Sequence, residues 1–147
     1  MSKSSLRRIT GLLITSPRTI VYNCFSWAAG ESKKEEWWDP FGEDGYWPNH
    51  IKKELTLQVL IEVYRDNRYE VCDNVSLEKK FEKIIIYSDS NGIPTHAARQ
   101  LPDGRWTSKI GVWQDIEHEL LEEFIININE KTINYGRIAT VMKRLWT

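Results

Sequence analysis

Covalent chemistry at neutral pH needs a nucleophile and a base, and this sequence offers few of either. It holds two cysteines and three histidines. Cys24 stands in Asn23-Cys24-Phe25-Ser26-Trp27-Ala28-Ala29-Gly30, where small and aromatic residues followed by glycine predict a short buried helix ending near Gly30. Cys24 falls in the first turn of that helix, and the positive end of a helix dipole favours a thiolate. A free thiol titrates at about 8.5, so it still needs a neighbouring base. His50 falls at a predicted loop-to-helix junction and His118 on a predicted helix. Only His96 falls inside a predicted strand, followed by the small Ala97 and Ala98. The plainer alternative is that Cys24 is a small core hydrophobe and His96 a structural histidine.

The turn Pro102-Asp103-Gly104 allows the neighbours of His96 to be worked out. As a three-residue hairpin loop with Gly104 left-handed, it pairs Leu101 with Arg105. His96 then lies opposite Ile110, Ala98 opposite Ser108 and Gln100 opposite Trp106. Side chains alternate along a strand, so these six share one face and Ser108 is the diagonal neighbour of His96. A hydroxyl there could fix the imidazole tautomer and leave the other nitrogen for Cys24. In such a site His96 takes the Cys24 proton and the thiolate attacks an amide or ester carbonyl. The oxyanion would be held by the Cys24 backbone N–H with Asn23 or Gln100. Trp37, Trp38 and Trp47, in an aromatic loop with Tyr46, are candidates for groove walls, with core or lid packing the favoured alternative.

These residues need elements to hold them. Residues 1–18 read as an N-terminal arm and 19–147 as a single domain. Asn49 is a candidate N-cap for a helix reaching Tyr64, with Leu57, Leu60, Ile61 and Tyr64 at helical spacing. Short strands are expected over 69–72, Phe81 to Tyr87, Ile93 to Leu101 and Arg105 to Val112. Asp115 is expected to cap a helix running to Ile128, where Leu121, Phe124, Ile125 and Ile128 match the helical template. A last helix is expected from Tyr135. The expected class is α+β: a short N-terminal helix carrying Cys24, an antiparallel sheet of three or more strands, and flanking and C-terminal helices.

That order resembles the papain-like cysteine hydrolases, in which a cysteine opens a buried helix, a histidine follows on a strand and a polar residue on the next. It is especially similar to their compact branch of cell-wall amidases and peptidases. Asn23-Cys24-Phe25-Ser26-Trp27-Ala28 resembles the nucleophile segment and Thr95-His96-Ala97-Ala98 the histidine strand. Ser108 takes the orienting position, where those enzymes usually carry Asp, Asn, His, Glu or Gln; Asp115 and Gln100 are the substitutes. The resemblance implies catalysis by Cys24, His96 and Ser108, no cofactor, and a peptide, amide or protein substrate. Thr95 to Leu101 and Gly104 to Lys109 also resemble an uncharacterised microbial domain family, over most of residues 20–146, which carries no activity to import.

Composition narrows the remaining classes. The chain has 147 residues, 41% hydrophobic and 28% charged, the balance of one folded domain. Twenty Lys and Arg against 21 acids give a net charge of −1, and the short lysine pairs have glutamates close by, so nucleic acid is not an expected partner. No segment has the roughly 20 apolar residues a spanning helix needs, and no export signal is legible, so no membrane is expected. Two unpaired thiols point to a reducing, cytoplasmic setting. Asp115 and His118, three apart on a predicted helix, lack the spacing of a zinc motif, so no metal is expected. Two functions follow: a thiol hydrolase or acyltransferase using Cys24 and His96, or a non-catalytic protein-interaction module that keeps both as core residues.

Overall fold

Strand propensity dominates this chain from residue 81 onward. The computed structural model describes residues 13–14, 28, 51, 54–110, 115–128 and 130–146. In chain order the elements are β1 (Leu13–Ile14), α1 (Leu57–Asp66), β2 (Glu70–Cys72), β3 (Phe81–Ser88), β4 (Pro94–Gln100), β5 (Trp106–Lys109), β6 (Asp115–His118), β7 (Glu123–Ile128) and β8 (Lys131–Leu145). They form one antiparallel sheet in the order β1-β6-β5-β4-β3-β8-β2, with β7 attached to β8. Leu13–Ile14, within the expected arm, pairs with β6.

The expected α+β class is therefore corrected to a mostly antiparallel β fold with one helix whose bounds are described. The helices expected at 115–128 and from Tyr135 are strands. In β7, Phe124, Ile126 and Ile128 are buried while Glu123, Ile125 and Asn127 are exposed, a period of two. Leu121, Phe124, Ile125 and Ile128 met the helical template only because an exposed position happens to be isoleucine. Isoleucine restricts χ1 and favours a pleated backbone, and β8 adds Thr132, Ile133, Thr140 and Val141 to the same tendency. Of the expected Cys24 helix only Ala28 is among the described residues; it is wholly buried. The middle helix begins later than Asn49 predicts. Thr56 is its N-cap, the side chain accepting from the Val59 N–H at 3.2 Å.

The sheet is covered on both faces. Ile84, Ile86, Ala97 and Met142 pack under α1, through Leu60, Val63 and Tyr64, and against Ala28. Ile85, Tyr87, Ala98, Trp106, Ile110 and Ile116 form the other face, and Phe124, Ile126 and Ile128 of β7 close over it. Each such buried aliphatic side chain contributes roughly 1.5–3 kcal/mol relative to exposure. The long β8 serves both layers: its first half pairs with β7 and its second half with β3 and β2. Gly136 makes the crossing possible, at φ +89, where an added Cβ would lie 1.9 Å from the Ser88 carbonyl oxygen.

Candidate functional site

The hairpin that carries His96 has the predicted register. Gly104 is left-handed at φ +92, Leu101 N–H donates to the Arg105 carbonyl, and Ala98 faces Ser108 while Gln100 faces Trp106. His96 lies opposite Tyr87 of β3, on the face closed by β7. It has no exposed surface. Its ring stacks on Tyr135 with centroids 4.4 Å apart and planes 6° from parallel, and Phe124 and Tyr87 stand at 4.7 and 6.0 Å. Among the described residues neither ring nitrogen has a hydrogen-bond partner. Burial, and then the neighbouring His118, hold the imidazole well below its ordinary range, so it is neutral.

Ser108 does not orient His96. Its Oγ lies 2.8 Å from Nε2 of His118, and Nδ1 of His118 lies 2.7 Å from the Glu119 carbonyl oxygen. A carbonyl only accepts, so Nδ1 carries the proton and Nε2 accepts from the Ser108 hydroxyl. Both residues are buried, and burial pushes His118 down to about 4, against the pull of the Glu119 carbonyl. Sequence reasoning missed His118 because it placed residue 118 on a helix. The signal available was the alternation Asp115-Ile116-Glu117-His118, with Ile116 and His118 pointing inward.

Residues 13–143 match the family model of a domain of unknown function (DUF7689). The chain belongs to that family. No curated protein and no solved structure matches it.

Within this DUF7689 chain two of the other expected site residues, Gln100 and Asp115, are described, on different strands. Gln100 is buried, its Nε2 donating to the Val75 carbonyl at 3.0 Å while Oε1 has no partner among the described residues. Asp115 opens a strand rather than capping a helix, and pairs across from Lys109. On a strand, Asp115 and His118 point to opposite faces, so they share no ligand. Among the described residues no three His, Cys, Asp or Glu side chains converge to hold a metal ion, and no helix is long and apolar enough to cross a membrane. Cys24, Asn23, Trp37, Trp38 and Trp47 lie outside the described residues. Ala28, four positions after Cys24, packs with Ile84, Ile86 and Ala97, on the sheet face opposite His96. An open cleft of about 420 Å³ lies elsewhere, lined by Ser88, Asp89, Glu123, Asn134 and Arg137. None of the sequence-predicted site residues is among its described lining.

Proposed function

We propose that this domain is a non-catalytic protein-interaction module in which Cys24 and His96 serve as core residues. One observation carries the reading: His96 is sealed against Tyr135 and Phe124 on one face of the sheet, while Ala28 packs on the other. A catalytic imidazole must pass a proton between the thiol and the leaving group, and needs a nitrogen within about 3 Å of each in turn. Ala28 stands four positions after Cys24 in sequence, on the sheet face that His96 does not share. The free thiol of Cys72 fits a reducing cytoplasm.

The test is the rate of Cys24 alkylation by iodoacetamide against pH, in a Cys72→Ser background so that one thiol reports. The expected result is a thiol that reacts only when the protein unfolds, with a rate indifferent to His96→Phe, which keeps an aromatic ring in the stack. A thiolate that reacts well below pH 8 and loses that reactivity in His96→Phe would restore the papain-like hydrolase in its place.

A further inference from the structure

Among the described residues β7 pairs on one side only, with β8. The β7–β8 hairpin closes on Ile128 opposite Lys131, with Glu130 left-handed at φ +63. Such a closing pair exchanges both of its hydrogen bonds, so Ile126 and Ile128 direct their backbone groups at β8. The other end agrees, because the Glu122 carbonyl accepts from Ile138 N–H at 3.2 Å. Even-numbered residues thus face β8, and the N–H and C=O groups of Glu123, Ile125 and Asn127 face outward. Natural edge strands are usually blunted by lysine, proline or a cover. The strand Glu123-Phe124-Ile125-Ile126-Asn127-Ile128 has neither lysine nor proline, and Ile125 is 43% exposed.

We propose that β7 is a homodimer edge, pairing antiparallel with β7 of a second copy about a two-fold axis at Ile125. The sequence is self-complementary in that register. Ile125 meets its own copy, and Glu123 meets Asn127, whose amide can donate to the carboxylate; no like charges oppose one another. Glu123, Ile125 and Asn127 all fall in hydrogen-bonded pairs, and sliding either strand by two residues leaves fewer of them. Phe124 and Ile126 of the two copies sit side by side on the opposite face, extending one apolar layer across the axis. A single short edge is small against the roughly 1,600 Å² of a standard interface, so the dimer is concentration-dependent. The inference goes beyond the module reading and does not need it. Cys24 reactivity tests that reading; mass tests this one.

The experiment is sedimentation equilibrium of the full chain between about 10 µM and about 1 mM. The wild-type average mass should rise toward twice the monomer mass. Ile125→Lys and Ile125→Glu, each keeping wild-type circular dichroism because the side chain lies outside the core, should stay at monomer mass alone and dimerise when mixed. Amides of residues 125 and 127 should gain protection from exchange as the wild type dimerises. A wild type that stays monomeric overturns the proposal, as does a single variant that dimerises like the wild type. A variant mixture that stays monomeric overturns the register, because lysine and glutamate would then not face each other.

Discussion

His118 keeps its proton on Nδ1, given to the Glu119 carbonyl, and accepts the Ser108 hydroxyl at Nε2, so its neutral ring is fully bonded. A second proton must enter a site 1% exposed, and burial holds the folded pKa at about 4. In the unfolded chain the same ring titrates near 6.5. Between those values the unfolded state binds more protons than the folded one, so stability falls as pH drops from 6.5 toward 4. At about 1.36 kcal/mol for each pH unit of that gap, His118 alone accounts for about 3 kcal/mol. His96 acts in the same direction, since its pKa is lowered by burial and by His118, and its nitrogens have no partner among the described residues to share a charge. A domain with about 5–15 kcal/mol in total would be weakened severely. Glu78, lowered first by its hydrogen bond from Lys143, also loses stability on acidification, but only from its ordinary value of 4.5 downward. Urea unfolding followed by circular dichroism at about pH 7.5, 6.5, 5.5 and 4.5 measures the effect, as a falling midpoint at constant slope. The double variant His96→Phe/His118→Gln should be flatter over the same window. A wild-type midpoint that holds or rises between pH 6.5 and 4.5, or a double variant that falls as steeply, refutes the reasoning.

Two further substitutions test the packing around this cluster. Gly136→Ala combines a left-handed φ with a Cβ 1.9 Å from the Ser88 carbonyl oxygen, so it should cost about 1–3 kcal/mol or more in urea unfolding and lower the protection of β8 amides. Ser108→Ala leaves Nε2 of His118 without its donor and should cost about 1–3 kcal/mol at neutral pH. Ser108→Thr, which keeps a hydroxyl, should recover part of that loss.

What could be read without coordinates was local. The Pro102-Asp103-Gly104 turn carries its own geometry: glycine takes the left-handed position, and the pairing of Ala98 with Ser108 and Gln100 with Trp106 follows from chain geometry alone. The run Ile84-Ile85-Ile86 is equally explicit, since β-branched residues buried on both faces leave little choice but a central strand. β7 and β8 were not legible in this way. Their apolar residues satisfy periods of two and of 3.6 at once, and the choice between them is made by non-local pairing. The fifteen residues of β8 are held by β7, β3 and β2 together, and the pairs with β3 and β2 span from 49 residues (Ser88 to Arg137) to 73 (Glu70 to Lys143) in sequence. The glycine that lets one strand serve two layers reads, by sequence, as an interruption.

The misreading of residues 115–128 also decided which imidazole was matched to Ser108. Ser108 has a diagonal neighbour on each side: His96 across Ala98 on β4, and His118 across Ile116 on β6. With 115–128 taken for a helix, β6 vanished from the sheet and His96 was the only imidazole left for the hydroxyl. Restoring β6 creates a competitor, and the competitor holds the better hand. His118 has its Nδ1 proton fixed by the Glu119 carbonyl, so its Nε2 lone pair is a committed acceptor aimed at Oγ. His96 has no such anchor, and its ring is turned flat against Tyr135 instead. A serine spent on His118 cannot set the tautomer of His96, and an imidazole with neither an orienting partner nor exposed surface is poorly placed to activate a thiol. The orienting role expected of Ser108 thus fails for the same topological reason as the expected helix: β6 is a strand and brings His118 beside it.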